Sequence, residues 1–140
     1  MTRDPVDVLV RLRKTACEDA RRDLLTTLEA EDAARAALHA AEHAITREQE
    51  AASRLDAGDG AVEAFVAWLP VGRRAVVQAR ARHEEAVAAS VLARAVLAAA
   101  RASLEAAENV IEEHESERRL AAAKKEQSAL DEAGRRRPLR

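Results

Sequence analysis

The residues that interrupt helices are almost confined to the middle of this chain. No glycine or proline occurs between Pro5 and Gly58, and none occurs between Gly72 and Gly134. Two runs of more than fifty residues without a breaker predict two long helices, because helix interiors tolerate glycine and proline least of all residues. The central breakers are Gly58, Gly60, Pro70 and Gly72.

The composition favours the same class of structure. Alanine accounts for 35 of the 140 residues, and the charged residues, 34% of the chain, nearly cancel to a formal net charge of −2. One tryptophan, one phenylalanine and no tyrosine leave few large side chains for a compact core, since aromatic residues supply much of the buried area. Long helices or a coiled coil fit this composition, whereas β-rich folds, Rossmann-like enzymes and disulfide scaffolds do not.

We expect an all-α protein, an antiparallel two-helix coiled-coil hairpin with a short helical connection, forming a single domain over 1–140. Asp4 and Pro5 suit the start of the first helix, and Gly58 suits its end. The predicted elements are a helix over about 5–57, a connection over about 58–72, a helix over about 73–133, and a basic tail over 134–140.

Heptad repeats predict the contact between the two helices, because apolar residues at alternating spacings of three and four form one stripe of a helix. In the first helix the stripe contains Val10, Cys17, Leu24, Glu31, Leu38, Ile45 and Ala52, with Ala20, Thr27, Ala34, Ala41 and Leu55. A flanking row contains Leu9, Ala16, Ala30, Ala37, Ala44 and Ala51. In the second helix the stripe contains Val76, His83, Ser90, Leu97, Leu104 and Ile111, with Ala79, Ala86, Ala93, Ala100 and Ala107.

One motif resembles a catalytic site. His39, Glu42 and His43 match the H-x-x-E-H pattern of some zinc proteases, in which two histidines share a helix face. If Leu38 faces the partner helix, these histidines lie on the outer face, which offers neither a third ligand nor a sheltered cavity. A zinc hydrolase built on these residues is an alternative hypothesis, whereas we expect no catalytic residue, no metal, no cofactor and no enzymatic activity.

Two features suggest contacts with a protein partner. Residues 118–140 carry eight lysines and arginines against three acidic residues, a pattern typical of a solvated helix face or of a docking end for an acidic partner. Phe65 and Trp68 either plug the closed end of the hairpin or form an exposed anchor. Nucleic-acid binding is not expected, because the chain is slightly acidic and lacks aromatic stacking residues.

The chain resembles the flagellar export protein FliJ family and its YscO-type relatives in type III secretion. The resemblance rests on Leu9-x-x-Leu12-Arg13, on the central Phe65, Trp68, Leu69 and Pro70, and on the charged, alanine-containing ending over 117–132. It extends over nearly the whole chain.

The resemblance implies a non-enzymatic coiled-coil stalk. Such a stalk would bind the hexameric export ATPase and the cytoplasmic part of the export gate membrane protein, and would escort export chaperones. From their location and charge, we predict that the ATPase-binding residues are Arg11, Arg13, Lys14, Arg118, Arg119, Lys124 and Lys125, with Phe65 and Trp68 as further partner-binding residues.

The expected location is the cytoplasm, with membrane association only through the export apparatus. Ser90 and Arg94 interrupt the most apolar stretch, so we expect no membrane-spanning segment. A stalk predicts a largely monomeric hairpin. The alternative is a generic coiled-coil scaffold or dimerisation module without a secretion role.

Overall fold

Two long helices make up most of the protein. A computed structural model describes residues 4–137, in which α1 spans Pro5–Ala52 and α2 spans Ala61–Arg136. The described range contains no strand, and the two helices pack together. The all-helical class predicted from the sequence is therefore confirmed.

The start of α1 follows the predicted capping signal. Asp4 Oδ1 accepts a hydrogen bond from the backbone N–H of Val6 at 3.0 Å, and the Asp4 carbonyl accepts one from the N–H of Asp7 at 3.0 Å. Pro5 occupies the first helical position, where its missing N–H removes no helical hydrogen bond. The cap therefore satisfies amide groups that would otherwise lack a partner.

The end of α1 lies five residues before the predicted one. The helix ends at Ala52 rather than near residue 57. The Ser53 hydroxyl donates to the carbonyl of Gln49 at 2.8 Å, and serine side chains compete in this way with the helical pattern. Gly58 has a φ of 86°, so the left-handed conformation expected there occurs in the loop rather than directly after the helix.

The predicted separate connecting helix is wrong, because α2 already begins at Ala61 and continues through Pro70. Proline there removes the amide that would bond to the carbonyl of Val66. Both Pro70 and Val66 are exposed, so water can hydrate that carbonyl, and the helix continues. The start of the second helix was predicted near residue 73 because proline normally interrupts a helix.

The end of α2 also differs slightly from the prediction. The helix runs through Gly134 to Arg136 instead of ending near Ala133. Arg136 Nη2 lies 3.0 Å from Glu132 Oε1 one turn earlier, a pair that supports the last turn together with the favourable position of a cation at a helix C-terminus. The predicted basic tail is thus helical over 134–136, and its residues 138–140 lie outside the described range.

The chain divides into two compact units, each with part of both helices. One unit is Asp19–Ala98. Its buried side chains are Ala20, Ala79, Ser90 and Leu97. They lie at heptad positions predicted for the helix contact, and three of the four are alanine or serine, so the packed layer is thin.

The other unit contains Met1–Glu18 and Ala99–Arg140, of which 4–18 and 99–137 are described. Cys17 and Ala107 are its buried residues, and Val10 and Ile111 are half-buried. Arg118 Nη2 lies 3.4 Å from Asp4 Oδ2. Cys17, a member of the predicted heptad stripe, is buried, and free cysteine packs as a small apolar residue.

The packed stripe of α1 is narrower than predicted. The flanking row is wrong, because its members are exposed apart from the half-buried Ala44. Leu55 is also wrong, because it lies beyond the end of α1 and is fully exposed. Alanine-lined helices contact each other through a small stripe, since methyl groups reach only a short distance from the backbone.

A carboxylate occupies one predicted contact position in the Asp19–Ala98 unit. The hydroxyl of Ser90, which is 1% exposed, lies 2.6 Å from Glu31 Oε2 and 2.9 Å from the carbonyl oxygen of Val87. Arg35 Nη2 lies 3.3 Å from Glu31 Oε1. Both carboxylate oxygens therefore have donors, which is the condition for tolerating a half-buried charge.

We expect Leu97→Ala to lower the free energy of unfolding by about 2–3 kcal/mol, because it removes buried methyl groups and leaves a cavity. Leu97 is 6% exposed, whereas Leu25 is 56% exposed and makes the matched control. Leu25→Ala should change the free energy of unfolding by less than about 0.5 kcal/mol. Urea denaturation followed by circular dichroism measures both values, and equal losses would contradict the assigned packing.

Candidate partner-binding surfaces

The last part of α2, residues 119–136, is exposed at every position and is called the distal segment below. Its side chains make hydrogen bonds and ion pairs only within α2 in the described range. At 1.5 Å per residue the distal segment is about 27 Å long. It is a helix without a packed face, so its surface is available to a partner.

The charges of the distal segment are largely free. Of its basic residues, Arg136 pairs with Glu132, whereas neither Lys124 nor Lys125 forms an ion pair with another described residue. Two large apolar side chains, Leu120 and Leu130, are about two-thirds exposed. The segment therefore offers both cationic and apolar contacts.

The structure brings only some of the predicted ATPase-binding residues into contact with other groups. Arg11, Arg13 and Lys14 lie on exposed positions of α1, and these residues form no ion pair in the described part of the chain. Arg118 pairs with Asp4, whereas Arg119 Nε lies 3.4 Å from the carbonyl of Glu115. A shallow groove is lined by Arg118, Ala121, Ala122, Lys124, Lys125 and Ser128.

The two aromatic side chains lie together near the start of α2. The ring centroids of Phe65 and Trp68 are 6.3 Å apart with an interplanar angle of 35°, and both residues are half-buried. They border an open cleft of about 520 Å³. The cleft is lined by Glu48, Ala51, Ala52, Ala57, Ala61, Ala64, Phe65 and Trp68.

This cleft bears on both interpretations of the aromatic segment. The rings cover part of the surface where α1 ends and α2 begins, as a plug would, yet one side of them borders open space. The walls of the cleft are mostly apolar and include one carboxylate, that of Glu48. Such walls suit a side chain of a partner that is apolar along its stem and positively charged at its end. Sequence reasoning found the rings but not the cleft, because alanines at 51, 52, 57, 61 and 64 carry no recognisable signal.

Gly72 is a residue whose role the sequence did not reveal. A Cβ atom at this position would lie 2.6 Å from Cη2 and 2.9 Å from Cζ3 of Trp68. The indole therefore lies directly over the Gly72 backbone, one turn further along α2. A helical spacing of four between tryptophan and glycine is the signal that could have identified this contact.

The H-x-x-E-H motif lies on an open surface. His39, Glu42 and His43 line a shallow depression with Thr46, and Glu42 Oε1 lies 3.8 Å from Arg80 Nη2. Among residues 4–137 no group of three or more histidine, cysteine, aspartate or glutamate residues is arranged to hold a metal ion. The geometry therefore gives the zinc hypothesis no support.

His83 has a polar atom that the helix contact encloses. Its Nε2 is buried and has no hydrogen-bond partner in the described part of the chain. The residue occupies a predicted contact position, one heptad before Ser90. A buried polar atom without a partner lowers stability, because it has lost its hydrogen bonds to water without replacing them.

One stretch of α2 is more apolar than the interrupted sequence suggested. An 18-residue window of this helix has a mean hydropathy of 1.5, and 11% of it is buried. By length and composition such a helix could cross a membrane, although core helices of soluble proteins satisfy the same criteria. The expectation of no membrane-spanning segment therefore stays a prediction.

No protein-family model matches the chain, and comparisons with curated proteins and with solved structures find no significant match. The resemblance to the FliJ family consequently rests on the residues given above.

We expect Gly72→Ala to displace Trp68 and shift its fluorescence emission to longer wavelength. The clash should lower the free energy of unfolding by about 1–2 kcal/mol, although alanine gains up to about 1 kcal/mol of helix propensity. Gly134→Ala is the control, since no neighbouring atom lies within 4 Å of an added Cβ there. Unchanged emission in both variants would contradict the packing of Trp68 on Gly72.

Proposed function

We propose that this protein is an antiparallel two-helix coiled coil that serves as a non-enzymatic stalk of a flagellar or type III export apparatus. Two contacts within the Asp19–Ala98 unit support the antiparallel direction. Glu31 contacts Ser90, and Glu42, further along α1, contacts Arg80, which precedes Ser90 on α2. A later residue of α1 thus contacts an earlier residue of α2, which is the pattern of an antiparallel pair.

The other unit, considered by itself, supports the same direction. Asp4, at the start of α1, pairs with Arg118 of α2. The small depression beside this pair is lined by Asp4, Val6, Asp7, Ile111, His114, Glu115 and Arg118. The first turn of α1 therefore contacts a late part of α2, as an antiparallel pair requires.

The exposed distal segment carries the proposal of a stalk. An isolated helix of this length is marginal in water, and here it gains order only from its continuity with packed α2. A larger assembly that binds the segment would supply the missing contacts. The resemblance makes the hexameric export ATPase the candidate, with Lys124 and Lys125 as cations that need not break an existing pair to bind it.

The remaining partners follow from the resemblance and from the aromatic cleft. We assign the cleft beside Phe65 and Trp68 to the cytoplasmic part of the export gate or to an export chaperone. Tryptophan contributes strongly to protein interfaces when it packs into a partner. The protein would then be cytoplasmic and would reach the membrane only through these partners.

The alternative is a coiled-coil scaffold or dimerisation module without a secretion role. The observation in its favour is the exposed apolar surface of α2, where Val91 and Leu92 are more than half exposed. The effect on an export ATPase distinguishes the two functions, because a generic scaffold is not expected to bind the ATPase or to alter ATP hydrolysis.

We expect Lys124→Glu with Lys125→Glu to weaken binding to the export ATPase about tenfold and to reduce stimulation of ATP hydrolysis, because repulsion replaces attraction at the distal segment. Arg118→Glu with Arg119→Glu should act in the same direction, although it also removes the contact with Asp4. ATPase assays over a range of stalk concentrations measure the effect.

Arg73→Glu with Arg74→Glu is the matched control, since both arginines are exposed on α2 far from the distal segment in sequence. Circular dichroism checks that all variants remain helical. Equal loss of stimulation in the control, or no loss in the Lys124 and Lys125 variant, would contradict the assigned surface. Absence of ATPase binding by the unchanged protein would contradict the stalk function itself.

A further inference from the structure

His83 presents an unsatisfied polar atom at a repeating contact position of the Asp19–Ala98 unit. Its Nε2 is buried and has no hydrogen-bond partner among the described residues. One heptad further along α2, Ser90 occupies the same row of the helix, and its hydroxyl lies 2.6 Å from Glu31 Oε2. The unsatisfied side chain thus lies one heptad from a side chain that already has a half-buried carboxylate as its acceptor.

The observed alignment gives His83 no acceptor. Glu31 lies opposite Ser90, and the helices run in opposite directions in the antiparallel pair proposed above. One heptad forward along α1 and one heptad back along α2 therefore bring Leu38 opposite His83. Both residues are half-buried. A leucine side chain can accept no hydrogen bond, so the imidazole nitrogen stays without a partner.

The alanines of the contact repeat with the same period as His83 and Ser90. Ala79, Ala86 and Ala93 follow one another every seven residues along α2, and each is buried or half-buried. In the observed alignment Ala34 of α1 lies opposite Ala86. A slide of α2 by one heptad sets Ala34 opposite Ala79, which exchanges one layer of methyl groups for an equivalent layer.

We propose that the two helices have a second alignment, displaced by one heptad, in which His83 replaces Ser90 beside Glu31. In it α2 lies about 10 Å further along α1. Glu31 keeps Arg35, whose Nη2 lies 3.3 Å away on the same helix, and accepts a hydrogen bond from the N–H at Nε2 of His83. The Ser90 hydroxyl keeps an acceptor as well, since the carbonyl oxygen of Val87 lies 2.9 Å from it. All these polar groups therefore have partners in the second alignment.

The large apolar residues of the contact determine the direction of the slide. In the observed alignment Leu97, which is buried, lies opposite the half-buried Leu24. The slide separates these two leucines, which keeps the observed alignment the more populated one. A slide in the opposite direction brings Leu97 against Glu31 and His83 against Ile45, so that neither polar group has a partner across the contact.

The connection between the helices accommodates the slide. α1 ends at Ala52, and Leu69 lies opposite it in the observed alignment, so the turns of α2 that begin at Ala61 extend beyond the end of α1. The slide draws these turns alongside α1, next to the open cleft of about 520 Å³. The loop over 53–60 then spans a shorter gap, and its Gly58 and Gly60 provide the conformational freedom for a tighter turn.

The slide also connects the helix contact to the distal segment. Because α2 is one continuous helix, its movement separates Arg118 from Asp4, an exposed pair in the other unit. A partner that binds the released Arg118 favours the second alignment, since a ligand shifts an equilibrium by its difference in affinity for the two states. The inference rests on the antiparallel pairing proposed above and not on the secretion role.

Disulfide trapping in the full chain distinguishes the alignments, because a disulfide requires Cα atoms within about 7 Å and the slide moves them by about 10 Å. In a Cys17→Ala background, Ala34→Cys is combined in turn with Ala86→Cys for the observed alignment, with Ala79→Cys for the second alignment, and with Ala93→Cys for the opposite slide. Mass spectrometry after alkylation of free thiols measures the rates under diamide. The pair at 34 and 86 should react fastest, and the pair at 34 and 79 about tenfold faster than the pair at 34 and 93.

Substitution of the polar residues tests their roles. His83→Leu should slow the pair at 34 and 79 about tenfold, because the second alignment loses its donor to Glu31, and should leave the pair at 34 and 86 at least as fast. His43→Leu, the same change at an exposed histidine of α1, is the matched control and should alter neither rate. Ser90→Ala should accelerate the pair at 34 and 79, since it removes the donor of the observed alignment. Circular dichroism confirms that the variants remain helical.

The outcomes separate this proposal from the proposed function. Equal rates for the pairs at 34 and 79 and at 34 and 93, or equal effects of His83→Leu and His43→Leu, would overturn the second alignment and leave the stalk function standing. Failure of the pair at 34 and 86 would overturn the antiparallel pairing and the second alignment with it. Stimulation of the export ATPase by the unchanged protein tests the secretion role separately.

Discussion

The thin contact between α1 and α2 is the constraint on which the rest of the structure depends. Among residues 4–137, five apolar side chains are buried, and three of them are alanines. A buried methylene contributes about 0.8 kcal/mol, so a layer of alanine methyl groups contributes little per residue compared with leucine. High helix propensity offsets this weakness. Long helices therefore form readily, while their attachment to each other stays modest and leaves much apolar surface uncovered.

Polar groups within the contact add specificity at the expense of packing. Glu31, Ser90 and Arg35 form a connected set in which the carboxylate has donors on both oxygens. A shift of the helices by one turn would separate Glu31 from Ser90 and leave a half-buried carboxylate with fewer donors. Alanine layers by themselves distinguish poorly between neighbouring alignments, because every methyl group looks alike. We infer that this polar contact selects one alignment.

The buried heptad positions could be predicted from the sequence, whereas the helix boundaries and the exposure of the other side chains could not. The heptad pattern identified Cys17, Ala107 and Leu97 as buried, because periodicity alone determines the face of a helix. Pro70 misled the prediction of the α2 start, since its effect depends on whether water reaches the freed carbonyl, which is a tertiary property. The close contact of the Trp68 indole with the Gly72 backbone depends on one rotamer of Trp68, which the sequence does not determine. The distal segment was recognised by charge, but its exposure required knowing where α1 begins to contact α2.

The same thin contact explains why two kinds of uncovered surface occur on one helix. The distal segment carries several charges and two separated exposed leucines, Leu120 and Leu130, so a partner there would gain mainly electrostatic contacts that salt weakens. Around Val91, Leu92 and Val96, which are at least half exposed, Arg94 is the sole charged residue between residues 86 and 98, so a contact made there would be mainly hydrophobic and would respond less to salt. Raising the ionic strength should therefore loosen the first contact and preserve the second.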